Sequence, residues 1–546
     1  MKSEYITPFL DGERVMPRSR AAVVMIIMAA CAVPVPVVAA PPSADDRDRR
    51  IEALEAQVRA LTAIVTQMRQ TQMQVPAPAS PQSLASAAPP PALPASGPAA
   101  PRRAPAEVAI AGGKPSIRST DGRFVVNLHG VMQFDAAGYF QKAAGPIATD
   151  LRRGGAASDT AHARDLNSGT NFRRARIGVE GRVFGDFDYN ILFEFGGGGA
   201  EDAGHIQELW LQYSGLKPLR FRVGAFSPSV GLEDQNSTNG MPFLERPAIA
   251  DIARSLAGGD YREAAQISAA GSRWFASAAI TTRTVGTINS SGSGSSPSFD
   301  QNLGGILRVA AIPFEGKDWL VHVGAHGSRV FSVADAGGPD AAGIRYPVQL
   351  RERPELRVDG TRLIDTGQID ARHVTEGGLE LAGQKGPLYL QGEYERISIE
   401  RRDSALSDPH FSGWYAEGGL MLTGERRQYN RATFAFDAPL VARPFDPARG
   451  GWGALEIVGR YSVADLNYRA GAPGTAPAAD AVRGGRQAIL AAGLNWYLNP
   501  LIRFMIDYQH VKVDRLSPSV AGYMTPVGAG IGQSYDTLSI RSQLAF

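Results

Sequence analysis

The chain has 546 residues, with 56 Lys and Arg against 54 Asp and Glu and a formal net charge of +2. That near balance excludes nucleic acid as a bulk electrostatic partner, and any anion site must be a local arrangement. Beyond the N-terminal leader no stretch reaches the roughly 18 to 20 apolar residues of a membrane helix, so a membrane form of this chain has to be a β-barrel.

Residues 1–40 read as a leader. Arg18 and Arg20 form a basic start, Ala21 to Val33 an apolar core and Val38-Ala39-Ala40 a small-residue cleavage site. Met16 is the expected true start, which leaves residues 1–15 surplus. The sole cysteine, Cys31, lies in the leader, and Met28-Ala29-Ala30-Cys31 loosely resembles a lipoprotein processing site. With or without lipidation, the mature chain has no disulfide. Over residues 45–74, Ile51, Leu54, Val58, Leu61, Val65 and Met68 trace an a/d seam and predict a short coiled-coil helix; a single amphipathic helix lying on the barrel is the alternative. So short a coil needs an oligomeric body to raise its local concentration, and a trimer fits. Residues 75–107, dominated by Pro, Ala and Ser, are an extended linker.

From residue 120 to 546 the pattern becomes period-two alternation in segments of about ten residues, the length a tilted strand needs to cross the hydrocarbon layer. In the first segment Phe124, Val126, Leu128 and Met132 share one parity and Asn127, His129 and Gln133 the other, greasy on one face and polar on the opposite one. The expected fold is all-β: a closed antiparallel transmembrane β-barrel of about 16 strands, with the coiled-coil helix at its N-terminus. Strands are expected at 123–140, 171–184, 187–196, 205–214, 219–227, 262–270, 272–282, 302–312, 318–328, 372–383, 386–398, 411–424, 452–464, 486–498, 501–513 and 534–546. Tight turns such as Phe184-Gly185-Asp186-Phe187 alternate with long polar loops such as 141–170, 228–261, 329–371 and 465–485. The long connection at 425–451 breaks that alternation by falling on the short side. The last strand ends on Phe546, the kind of ending that outer-membrane insertion uses, and one that would sit in the interfacial aromatic girdle.

Several stretches resemble the phosphate-selective porin O and P family. They are Phe172-Arg173-Arg174-Ala175-Arg176-Ile177-Gly178-Val179-Glu180-Gly181 with Phe184 to Tyr189, Val223-Gly224-Ala225-Phe226-Ser227-Pro228, Phe243-Leu244-Glu245-Arg246, Gln391-Gly392-Glu393-Tyr394, Gly413-Trp414-Tyr415, Leu422-Thr423-Gly424-Glu425 and Gly493-Leu494-Asn495-Trp496-Tyr497. The resemblance implies an outer-membrane homotrimer, each barrel constricted by an inward-folded third loop, with phosphate steered along lumenal arginines toward a lysine and serines on that loop. Here the candidate pore-lining, anion-binding residues are Arg174 and Arg176 on the second strand, Arg220 and Arg222 on the fifth, and Arg246, Arg254, Ser237 and Thr238 on the loop. A guanidinium offers phosphate a planar two-donor fork. The loop at 228–261 departs from the family in holding no lysine, and it carries Glu233, Asp234, Glu245 and Asp251. Those acids are expected to raise the barrier for an anion.

The functional expectation is passive diffusion of small anions, phosphate or polyphosphate among them, through a water-filled channel. The alternatives are a weakly selective general porin and an envelope tether reaching the cell wall through a periplasmic coiled coil. A barrel enzyme such as an outer-membrane phospholipase is disfavoured, because no Ser–His pair stands at a spacing with an orienting acid or amide. No catalytic residue, cofactor or metal ligand is expected. His129, His322 and His326 fall on the lumenal parity with no evident carboxylate partner and read as pore wall. Besides the anions, the partners expected are outer-membrane lipid and two further copies of the chain.

Overall fold

The computed structural model describes residues 106–111, 113–141, 166–197, 204–257, 261–284, 300–336, 343–518 and 526–546. The expected leader, coiled-coil helix and most of the linker lie outside the described residues.

Sixteen strands form the wall. The first eight are β1 (Val125–Gln141), β2 (Gly169–Val183), β3 (Phe187–Glu194), β4 (His205–Tyr213), β5 (Leu219–Phe226), β6 (Arg262–Ala270), β7 (Trp274–Thr284) and β8 (Leu303–Glu315). The rest are β9 (Trp319–Ser332), β10 (Ile369–Lys385), β11 (Leu388–Arg401), β12 (His410–Met421), β13 (Ala454–Tyr468), β14 (Val482–Tyr497), β15 (Ile502–Asp514) and β16 (Gln533–Ala545). Each pairs antiparallel with its sequence neighbours. The sheet closes where β16 pairs back onto β1, from Tyr535 opposite Gln141 to Ala545 opposite Val131. Closure leaves no strand edge to be satisfied by lipid.

Each of the sixteen expected strands is present, with ends shifted by a few residues. The pleat does the sorting. Along β15 burial alternates residue by residue: Arg503, Met505, Asp507 and Gln509 turn in, while Phe504, Ile506 and Tyr508 stand exposed. The same parity leaves Leu379, Leu381, Leu388, Leu390, Leu538 and Ile540 exposed on the outer face, an apolar belt that only a hydrocarbon surround stabilises. No described helix is long and apolar enough to cross a membrane; the strands do that work. Phe124, Phe184, Trp274, Trp319 and Trp452 stand exposed near the short-turn end, where aromatic girdles lie. The turn from β2 to β3 holds Phe184 at φ 54° and Gly185 at φ 86°. The loop is three residues long, Val183 pairing with Phe187, and glycine takes its positive φ without strain.

Among the elements not anticipated is one at the N-terminal side of the barrel. Ala106–Ala111 and Lys114–Ser119 form a hairpin whose second strand pairs with the start of β1, Ser116 opposite Asn127.

Besides the loop after β9, whose Glu355 reaches Arg460 on the inner wall at 2.6 Å, two inserts occupy the lumen. The first follows β5 and carries helices α1 (Leu232–Gln235) and α2 (Ala248–Ala257). Ile249, Ile252 and Leu256 of α2 are buried in a cluster with Val330, Phe411 and Val511 of the wall and with Leu350, Leu356 and Leu363 of the loop after β9. The second is the connection from β12 to β13, whose length broke the alternation of turns. Its hairpin, Arg427–Asn430 with Ala435–Pro439, enters from the short-turn end. Phe434 packs on Phe275, Ala310 and Ile312 inside the wall, and Arg308 donates to the Thr433 and Phe434 carbonyls at 2.6 and 2.9 Å. The inserts meet where Arg427 Nη1 donates to the Gly240 carbonyl at 2.7 Å.

Candidate functional site

The first insert is hung on the wall by its own backbone. Gln133 Nε2 donates to the Thr238 carbonyl at 3.3 Å and Gln543 Nε2 to the Asn239 carbonyl at 3.0 Å. Arg503 reaches the Asn239 carbonyl at 3.4 Å. With its carbonyls held, the tip turns side chains to water: Ser237 is exposed and Thr238 half-exposed.

The lumenal arginines divide into two groups. On β2 a register shift opposite Gln133 and Phe134 turns both Arg173 and Arg174 inward. Arg173 pairs with Glu245 at 2.6 Å. Arg174 donates to Gln133 Oε1 at 2.6 Å, which places it one side chain from Thr238. Arg176 pairs with Glu194 at 2.5 Å and donates to Tyr261 at 3.2 Å. Arg220 and Arg222 are half-exposed on the inner face of β5. Arg220 donates to the Ala432 carbonyl at 2.9 Å, and Arg222 donates to Gln212 at 2.9 Å and stacks over Trp210 at 4.2 Å. Among the described residues neither makes a carboxylate pair, and unlike the buried Arg174 both keep water contact.

Arg246 and Arg254 leave the list of solute-facing candidates. Both are buried. Arg246 donates to the carbonyls of Glu233 and Asn236 at 3.2 and 3.1 Å, and Arg254 pairs with Asp234 at 2.6 Å; they hold the loop's shape. The loop acids are corrected in the same way. Glu245 takes Arg173, Arg541 and Arg357 within 3.4 Å, and Asp251 takes Arg357 at 2.9 Å. Burial would raise the Glu245 carboxyl, but Arg173 first among these guanidiniums holds it well below the usual range. These carboxylates face the wall and so do not set the barrier that the sequence suggested.

The histidines also need correcting. His326 on β9 lies 3.0 Å from Glu380 and from Glu395, and His322 lies 3.1 Å from Glu380. His129 keeps a looser approach of 3.9 Å to Glu180.

Besides Arg173, further lumenal arginines escaped the list of candidates. Arg308 pairs with Glu380 at 2.8 Å, Arg427 with Glu456 at 2.7 Å, Arg460 with Glu355 at 2.6 Å and Arg541 with Asp135 at 2.7 Å. Arg503 donates to Asn495 at 2.6 Å. Strand parity alone would have found those on β8, β13, β15 and β16, since each alternates with outward apolar residues.

A closed barrel with an apolar exterior and a charged lumen narrowed by an inward loop agrees with the match of residues 154–546 to the family described as phosphate-selective porin O and P. This chain belongs to that family. Porin O of Pseudomonas aeruginosa is 25% identical to this porin over 363 residues, 63% of this chain and 77% of that one. An uncharacterized protein of Caulobacter vibrioides is 27% identical over 464 residues, 84% of each chain. Among solved structures, a loop-deletion mutant of OmpT of Vibrio cholerae aligns with 78% of this porin and 100% of its own chain, at 11% identity and a TM-score of 0.43. Family membership makes the porin a channel-forming barrel of the outer membrane.

Proposed function

We propose that this porin passes small anions by passive diffusion along the β2 to β5 side of the lumen. One observation carries the reading: Arg220 and Arg222 are inward, half-exposed and, among the described residues, without a carboxylate partner. Farther round the wall, one side chain from Arg174, the loop presents Ser237 and Thr238 to water. Positive potential on one wall raises the local concentration of anions and lowers their entry barrier. Phosphate suits this wall because its oxygens can accept paired N–H donors from a guanidinium. The working unit is a homotrimer, and its short-turn end, where the N-terminal hairpin lies, faces the periplasm.

The test is the reversal potential of the refolded porin in a planar bilayer across a KCl gradient. Replacing Arg220 and Arg222 together by Ala should lower the anion-to-cation permeability ratio, and millimolar phosphate should reduce current in the parent channel. An unchanged ratio would remove these residues from the path. The second reading, a weakly selective general porin, is favoured by the loop's lack of lysine and by the carboxylate pairs that neutralise Arg173, Arg176, Arg460 and Arg541. It expects current indifferent to phosphate.

A further inference from the structure

On the wall opposite the proposed anion path, three neighbouring strands bring one imidazole among four carboxylates. In register, His326 of β9 lies opposite Gly378 of β10, and Gly378 lies opposite Glu395 of β11. The middle position has to be glycine for the outer two to meet: a Cβ there would stand 2.2 Å from Glu395 Oε2 and 2.3 Å from His326 Nε2. Glu376 and Glu380 flank Gly378 on the same face of β10. Glu393 lies two residues before Glu395, and its ligand oxygen, that of Glu395 and an imidazole nitrogen of His326 all fall within 4.8 Å of one another.

The hydrogen bonding is one-sided. Glu380 is held by Arg308 at 2.8 Å and by His322 at 3.1 Å, and it faces His326 Nδ1 at 3.0 Å. A proton on Nδ1 satisfies that contact and directs the Nε2 lone pair outward. What Nε2 meets are more acceptors: Glu395 oxygens at 3.0 and 3.1 Å and Glu376 Oε1 at 3.4 Å. Glu376 is 2% exposed, and among the described residues neither of its oxygens has a hydrogen-bond donor. Arg308 pairs with Glu380, and Glu393 accepts from the Tyr415 hydroxyl at 2.8 Å and from two loop N–H groups, which leaves Glu395 and Glu376 as the carboxylates facing Nε2. Acceptors buried against acceptors call for a shared cation, since burying unpaired carboxylates is costly.

We propose that His326 Nε2, Glu395 and Glu393, with Glu376 at the fourth side, form a binding site for a divalent transition ion of the Zn2+ type. A mixed imidazole and carboxylate donor set suits that class. The spacing fits as well. Metal–ligand bonds of about 2.0–2.1 Å in a tetrahedron imply donor separations of roughly 3.3 Å, close to the 3.0–3.4 Å that Nε2 keeps from Glu395 and Glu376. Glu380 then serves as the carboxylate that orients the liganding histidine. The site also has a mechanical role. Glu393 accepts the backbone N–H groups of Leu232 and Glu233 at 2.5 and 3.0 Å, so a bound ion ties the wall to the start of α1 and steadies the constriction.

The experiment uses the untagged full-length porin, folded in detergent and stripped with a chelator. Co2+ is the probe, titrated while its visible d–d absorption is followed, with Zn2+ as competitor. One ion per chain is expected. His326→Gln and Glu395→Gln should each weaken binding by at least about tenfold while keeping the heat-resistant migration of a folded barrel. Absence of Co2+ uptake by the parent protein would show that a proton holds the cluster together and would overturn the proposal, as would parent-like binding in both variants. If neither variant folds, the Zn2+ absorption edge of the parent decides. A shell of one imidazole with oxygens supports the site, and two or more imidazoles overturn it.

Discussion

Three guanidiniums converge on Glu245: Arg173 at 2.6 Å, Arg541 at 3.0 Å and Arg357 at 3.4 Å. They come from β2, β16 and the loop after β9, so one carboxylate fixes the insert to both sides of the barrel seam. Removing it strands the buried Arg173, while Arg541 keeps Asp135 and Arg357 keeps Asp251, and losing one member of a buried pair costs about 3–5 kcal/mol. Glu245→Ala should therefore lower the temperature at which the folded form is lost on electrophoresis, and a variant as heat-resistant as the parent would discount the anchor. None of this was legible beforehand. Strand parity says that Arg541 points inward, but Arg541 and Glu245 are 296 residues apart, and no local pattern gives the depth or the opposing partner of a lumenal side chain. Arg220 and Arg222 were legible for the converse reason, since their alternation with Phe221 and Val223 is the whole of the evidence needed to turn them inward.

At the level of elements, the first insert carries a buried acid whose proton is linked to its docking. Burial, and then the neighbouring Glu417, push the Glu233 carboxyl on α1 up to about 8 from an ordinary 4.5. Its Oε2 accepts from Asn236 and Gln391 at 2.9 and 2.8 Å, while Oε1 has no hydrogen-bond partner. Between those two values the folded chain holds a proton that the unfolded chain has released. Stability of the docked insert thus falls as pH rises from about 4.5 to about 8 and changes no further above that. Single-channel current noise should increase between pH 6 and pH 9, and Glu233→Gln should flatten that dependence. An equally steep pH response in the variant would assign the effect to another group. The sequence marked this loop by its length and its acids, yet not which acids would be paired. It marked the β12–β13 connection only as an exception, because an insert that packs Phe434 and Phe436 inside a barrel carries no periodicity to distinguish it from a surface loop.

For the whole molecule, the wall was readable because lipid imposes one rule on every strand: apolar side chains on the outer parity throughout. Leu381 of β10, 62% exposed in the middle of the belt, obeys that rule. Leu381→Arg should cost about 2–4 kcal/mol if it lies near the bilayer midplane, read as a lower denaturant midpoint for unfolding from lipid vesicles. An unchanged midpoint would place that face against another protein surface. The interior follows no such single rule, and there two inserts from opposite ends touch at Gly240 and Arg427. An ion crossing the membrane meets them one after the other, like two resistors wired in series. Widening either one recovers only its own share of the total resistance, so no single constriction sets the throughput of this channel, and evolution can retune selectivity at one insert while holding conductance with the other.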